Sequence, residues 1–450
     1  MTRIAPFDNS ESSPDINKET SSCTFCKRNS QLYQIMMPFL YLMKVAGLYH
    51  HSQFTKSTKE CNTKDKVIGN EGYKRKSATP SMVYSAVICI FLACNTIRTM
   101  STFGMDKKFE LSSFLWKLSI VAWMINCTTN ALAFYRSSNQ FNGLTNFFCE
   151  LDNYSTERPP LFTRRRIIIY VILSCIVIAI NMAYSSFLLF DSVLFEVMLA
   201  PLNSKYPNVV YYKVAILIVQ FYMTCAWILS MVFMLIICAV LVDLFSHNNK
   251  CFQAQIIHED YSLPPDFEKL RQKYLLLCRL VSCADNFLNA FNGVTLIVAS
   301  LHLTINMYML LWYDAVRDNT TVLLGTLFWT SGAVVQIILI SFGGAMVNSK
   351  ASEPLEYFYD ISADSIPADK QIHVQMFLSK LNGPPVGLSA LGMFVIDKPV
   401  ILTILGLLAS YFVVMVQFSP VFTGADDDSA DLCNCTQMLL NATLQCHTSL

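Results

Sequence analysis

Charge is what this chain has least of. Asp, Glu, Lys and Arg supply 14% of its 450 residues and apolar residues 53%, whereas roughly a quarter of a soluble domain is charged. A chain so poor in charge cannot hide its apolar runs inside one water-soluble core, so it reads as a polytopic membrane protein. The net charge of +1 carries no signal for nucleic acid. Residues Met1 to Ser30 are polar with mixed charge, so no signal peptide is expected. A second pair of metal ligands is missing. Cys23 and Cys26 form a lone Cys-x-x-Cys that Cys61 does not complete, and a zinc site needs four ligands. Neither a metal nor a cofactor is expected. No nucleophile with a base, paired catalytic carboxylates or phosphate loop stands out, which argues against an enzyme. Most of the 16 cysteines lie in apolar runs or expected cytoplasmic segments and read as buried or reduced thiols, not as a disulfide framework. Cys433, Cys435 and Cys446 near the end are odd in number, leaving room for one disulfide and a spare thiol.

What is there in abundance is long apolar runs. Seven are long enough to cross a bilayer at roughly 20 residues each: 82–100, 112–134, 167–190, 213–243, 287–313, 322–346 and 399–419. A shorter stretch at 32–48 carries Pro38 and Lys44 and reads as an interfacial or packed helix before the first span. Lysine and arginine decide the direction. The segment 1–81 and the loops 135–166, 244–286 and 347–398 hold 26 of them, against four (Lys107, Lys108, Lys205, Arg317) on the other side. The N-terminus is therefore expected in the cytoplasm and the C-terminus outside. Asn319, Asn434 and Asn441 open sequons on the expected outer side and are the glycosylation candidates. Five segments follow: 1–81, cytoplasmic and mostly disordered; 82–346, a six-helix sensing bundle with cytoplasmic extensions; 347–398, a cytoplasmic loop and helix; 399–419, the seventh span; and 420–450, an acidic external tail.

Further absences narrow the class. An internal N-terminus, with no Glu/Asp-Arg-Tyr ending on the third span and no Asn-Pro-x-x-Tyr in the last, argues against a G-protein-coupled receptor. Span interiors nearly free of charge and an odd span count argue against a secondary transporter. A ligand-gated channel with its pore at a subunit interface survives best.

The last span ends Ser410-Tyr411-Phe412-Val413-Val414-Met415-Val416-Gln417-Phe418. This resembles the Thr-Tyr, five apolar residues, Gln-Phe motif of the invertebrate gustatory receptor family, within the insect chemoreceptor superfamily, with Ser410 in place of Thr. The stretch Gly387 to Lys398 is similar to that family's lead-in to the last span. The resemblance implies an all-α, seven-helix channel fold in the plasma membrane of sensory neurons. It further implies a homotetrameric, nonselective cation channel opened by a small-molecule tastant, or a heteromer with related receptors, with the last span lining the pore. The alternative is a receptor of this fold that signals metabotropically or serves as an obligate co-subunit.

On a helix, Ser410, Val414, Gln417, Phe418 and Val421 fall on one stripe. Four copies around an axis would stack a Val, a Gln and a Phe ring. Apolar rings close a pore by dewetting, and an amide ring replaces part of an ion's hydration, so Val414 and Phe418 are the gate candidates. Asp426, Asp427 and Asp428 just outside are candidates for an acidic collar that concentrates cations. The outer halves of spans two to six carry the ligand candidates Tyr184, Gln220, Trp227, His302, Asn306, Trp329 and Thr330, with Trp123 beside them and Gln336 deeper. Hydrogen-bonding groups beside aromatic faces suit a small polar tastant. The competing reading for each is helix–helix contact or interfacial anchoring.

Overall fold

The computed structural model describes residues 31–50, 54–56, 73–75, 79–105, 111–154, 161–190, 209–258, 263–361, 366–414 and 416–417. The chain begins with α1 (Gln31–Val45), α2 (Pro80–Met100), α3 (Leu111–Asn139), α4 (Asn146–Tyr154) and α5 (Leu161–Phe190). Two very long helices follow, α6 (Val209–His258) and α7 (Phe267–Trp312). Then come α8 (Asp314–Asp318), α9 (Thr320–Ser352), α10 (Pro354–Tyr359), α11 (Gln371–Leu381) and α12 (Lys398–Val414).

Among the described residues, six helices are long and apolar enough to cross a membrane, and they match the first six expected spans to within three residues at the ends they share. The seventh expected span begins as α12, which is apolar but shorter in the described residues. Its backbone is helical again at 416–417, and 418–419 lie outside the described residues. The helical periodicity of Phe267 to Cys283 predicts one helix running into the fifth span, as α7 does, while α6 runs well past the expected 213–243. At about 1.5 Å per residue α6 and α7 are roughly 75 and 69 Å long, more than twice the ~30 Å of a hydrocarbon core. Their excess continues in register past the apolar stretch as amphipathic helix.

That excess builds a compact aromatic anchor. Phe252 of α6, Phe267 and Tyr274 of α7, Phe358 of α10 and Phe377 of α11 meet at ring-centroid separations of 5.1–6.5 Å. The Tyr274 hydroxyl donates to the Ala351 carbonyl at 2.9 Å. Phe377 is nearly fully buried, so Phe377→Ala is expected to cost about 3–5 kcal/mol through lost burial and a cavity. Thermal unfolding of the solubilised receptor reads this as a clear drop in Tm.

The bundle core lies on α6, which packs against α3, α5, α7 and α9. Helix α5 does the reverse. Ile168, Ile169, Ile172, Leu173, Ile176 and Ile180 are exposed on it, a face suited to lipid. Of the two readings of the 32–48 stretch, interfacial or packed, α1 takes the packed one. Met36, Phe39 and Met43 are fully buried, and Phe39 stacks on Phe233 at 6.2 Å, because the apolar side chains on either side of Pro38 share one face. Within the stretch expected to be disordered, β1 (Phe54–Lys56) and β2 (Tyr73–Arg75) pair antiparallel, Phe54 opposite Arg75.

Candidate functional site

A chamber of about 50 Å³ lies between α3, α6, α7 and α9, at the end of the long helices opposite the aromatic anchor. Four tryptophans line it, Trp116, Trp123, Trp227 and Trp329. Trp123 and Trp227 meet edge to face at 6.2 Å and 86°, the arrangement that the ring quadrupole favours. The polar lining is Ser119, Asn126, Gln220, His302, Asn306 and Gln336, and among the described residues no Asp, Glu, Lys or Arg contributes.

A hydrogen-bond chain orders one wall. His302 Nδ1 lies 3.0 Å from Ser119 Oγ, and Ser119 Oγ donates to Asn306 Oδ1 at 3.0 Å. A serine hydroxyl has one proton to give. With that proton on Asn306, His302 Nδ1 is the donor to Ser119. Thr295 Oγ donates to Asn126 Oδ1 at 3.1 Å. Gln220 Nε2 and Trp329 Nε1 reach away to Ser185 Oγ and Asn181 Oδ1, each at 3.4 Å. Among the described residues, the buried nitrogens Trp123 Nε1, Asn306 Nδ2 and Gln336 Nε2 find no hydrogen-bond partner.

The structure brings Gln220, Trp227, His302, Asn306 and Trp329 together at this chamber. The other two ligand candidates turn elsewhere. Tyr184 donates to the Thr321 carbonyl at 2.9 Å and meets the Trp329 ring edge to face. Thr330 donates back to Thr326 of its own helix at 2.6 Å. Sequence reasoning missed Trp116, Ser119 and Asn126. Their spacing with Trp123, at positions i, i+3, i+7 and i+10 of α3, puts all four on one helical face and was the available signal.

The other candidate site is α12. None of its described side chains is buried. Ile404 and Leu408 rest partly against the bundle. Leu402, Leu405, Phe412, Val413, Val414 and Val416 are exposed. Ser410, Val414 and Gln417 are likewise exposed, and at 100° per residue they face roughly 130° away from Ile404 and Leu408. Thr403 was not singled out from sequence, yet it lies seven residues before Ser410, which lies seven before Gln417. The three form one polar stripe. The Thr403 and Ser410 hydroxyls bond their own helix at the Pro399 and Gly406 carbonyls, 3.1 and 2.8 Å away. Phe418, Val421, the acidic residues Asp426 to Asp428, the tail cysteines, Asn434 and Asn441 lie outside the described residues. Asn319 caps α9, its Oδ1 accepting from the Thr321 and Val322 N–H groups at 3.0 and 3.3 Å.

A short hairpin ties the two sites together. Strands β3 (Ser389–Ala390) and β4 (Phe394–Val395) pair antiparallel just before α12. The turn between them holds Leu391 and Gly392 at φ 53° and 70°. Glycine adopts that region freely, whereas leucine there costs of order 1–2 kcal/mol. Contacts to α7 hold it in place. Leu391 N–H donates to Asn289 O at 2.9 Å and Asn292 Nδ2 to Ser389 O at 3.1 Å. The Ser389 N–H and hydroxyl both donate to Asp285, at 2.6 and 2.9 Å. Gly293 of α7 makes room for the turn, since a Cβ there would come within 2.9 Å of the Leu391 nitrogen. Gly344 of α9 does the same for Ile396, whose Cβ would lie 2.7 Å away.

A helical bundle with six membrane-length helices among the described residues, four of which enclose a chamber of indole and amide side chains, defines an all-α, multi-pass membrane protein of the receptor type. Residues 37–422 match the 7tm chemosensory receptor family, and the chain belongs to that family. It is thus a chemosensory receptor of the plasma membrane and not an enzyme. Its fold is similar to that of the insect olfactory receptor OR5 from Machilis hrabei, at 12% identity and a TM-score of 0.60, over 86% of this chain and 99% of that one. The structure of the same receptor in complex with eugenol gives the same figures. No curated protein matches the sequence.

Proposed function

We propose that this receptor is a gustatory, ligand-gated, nonselective cation channel assembled from four copies. A small tastant binds in the tryptophan-lined chamber, and the pore is lined by Thr403, Ser410 and Val414 of α12, continued by Gln417, Phe418 and Val421. The observation that carries this reading is α12 itself. It is an apolar helix with its polar residues on one stripe, and that stripe faces away from its own bundle. An amide in lipid leaves two donors and an acceptor unpaired. In a ring of four, Gln417 would face water instead, while Val414 closes the pore by dewetting. The lysine and arginine asymmetry supports a cytoplasmic N-terminus, with the aromatic anchor inside the cell and the chamber in the outer half of the bundle. The chamber's burial and neutral lining suit a small uncharged ligand, and the similar olfactory receptor was solved with one, eugenol.

Excised outside-out patches from cells expressing this chain alone test the reading. A tastant panel is expected to open cation current that persists with G proteins blocked by GDP-β-S. Current that vanishes under that block would instead favour the metabotropic alternative.

A further inference from the structure

Helix α5 is the membrane-length helix least covered by its own protein. Only 17% of its apolar stretch is buried, against 28–78% in the other five. Three consecutive arginines, Arg164, Arg165 and Arg166, stand in its first two turns, just before that stretch. They are not equivalent. Arg166 is turned toward the protein, its Nη1 3.3 Å from Asp243 Oδ1 of α6, and this ion pair fixes the rotation of the helix head. At 100° per residue, Arg165 then lies on the same side as the exposed Ile169 and Ile172, four and seven residues further on. Arg164 stands four residues before the exposed Ile168. Both arginines are exposed, and among the described residues neither has a carboxylate partner. Two cations thus head the most lipid-exposed face of the molecule.

We propose that Arg164 and Arg165 form the headgroup site of one net-anionic phospholipid, whose acyl chains lie along Ile168, Ile169, Ile172 and Ile176. Ile169 is only about 6 Å beyond Arg165 along the axis at 1.5 Å per residue. The guanidinium therefore sits where acyl chains end and phosphates begin, with its stem against apolar surface and its charge in the headgroup layer. A guanidinium meets a phosphate through two parallel hydrogen bonds. The second negative charge of an anionic headgroup adds to this attraction, whereas the ammonium of a zwitterionic headgroup is repelled by the neighbouring arginine. In the orientation proposed above, the arginine end of α5 faces the cytoplasm, and that leaflet holds the anionic lipids. Arg166 is a positioning residue that sets the rotation of α5 through Asp243. The inference needs no channel opening.

Native mass spectrometry of the purified, delipidated full chain in detergent micelles tests it, with phosphatidylserine and phosphatidylcholine of the same acyl chains as probes. Wild type is expected to hold its first phosphatidylserine at least tenfold tighter than phosphatidylcholine. Arg164→Gln with Arg165→Gln should bring the two lipids to within about threefold, in protein whose helical content and elution match wild type. If that double variant does not fold, Arg165→Gln alone should cut the preference at least threefold. Lys269→Gln with Lys380→Gln removes the same charge from exposed positions on the aromatic anchor and should leave the preference as in wild type. Glycerophosphoserine, the headgroup without chains, should not displace the lipid at hundredfold excess. Three results would each overturn the proposal: no preference in folded wild type, a preference that survives loss of the arginines, or an equal loss in the lysine variant, which would trace the effect to overall charge. Displacement by glycerophosphoserine would make this a site for a soluble anion and overturn the lipid assignment.

Discussion

Gln417→Leu lowers single-channel cation conductance by tenfold or more, with surface expression unchanged. A cation crossing a ring of four amides recovers part of its lost hydration. If each amide dipole contributes about 0.5 kcal/mol, at the low end for a hydrogen bond, four contribute about 2 kcal/mol. At 1.4 kcal/mol per factor of ten, replacing the ring by leucine slows conduction by roughly thirtyfold. Val414→Ser, on the same stripe, should act in the opposite sense, since a hydroxyl ring wets a constriction that valine keeps dry, and ligand-free current should rise. Leu408→Ala is the control. Leu408 rests on its own bundle, so its loss should lower stability and leave conductance alone. Recordings in which Gln417→Leu and Thr403→Val both conduct like wild type would remove α12 from the pore wall.

The second large effect is expected far from both the ligand and the pore. Gly293→Val should leave ligand affinity within about threefold of wild type and reduce maximal ligand-evoked current by at least tenfold. The chamber residue His302 is nine residues further along α7, about 14 Å away at 1.5 Å per residue, so the chamber keeps its shape. The hairpin does not. Any Cβ at 293 collides with Leu391, and overpacking of this kind typically costs 1–3 kcal/mol. That range is enough to shift a two-state coupling between sites by five- to 150-fold. Helix α12 begins two residues after Ile396, so a displaced hairpin misplaces the root of the pore helix. Gly293→Ala with Leu391→Ala should recover part of the current, because the contacts with the Leu391 Cγ and Cδ1 are then relieved and only the 2.9 Å approach to the residue 391 nitrogen remains. Full efficacy in Gly293→Val would mean that α7 does not pass the signal through this contact.

The sequence made the spans legible because apolarity over twenty residues survives any packing arrangement. Their true lengths were less legible. The helical periodicity of Phe267 to Cys283 points to one helix running into the fifth span, as α7 does, whereas the residues of α6 beyond 243 read as part of a loop until the anchor is seen to need them. Helix rotation was the main obstacle at the chamber. Trp329 and Thr330 are neighbours in sequence, yet 100° apart around α9. One lines the chamber and the other bonds its own backbone. Tyr184 had the right chemistry but is spent on capping the Thr321 carbonyl. The hairpin clamp was hidden for a different reason. Asp285, Asn289, Asn292 and Gly293 stand about a hundred residues from Ser389 and Leu391, and nothing local in either stretch announces the other.

Helix α12 buries none of its described side chains within its own subunit. Only Ile404 and Leu408 give it a partial hold on its own bundle, so in the proposed four-copy channel its order would lean on neighbouring chains and follow mass action. Diluting the receptor in lipid, or expressing it at low density, would loosen this helix long before the bundle melts. The pore would then be the first part of the molecule to be lost and the last to be made, completed only when enough copies have met in one membrane.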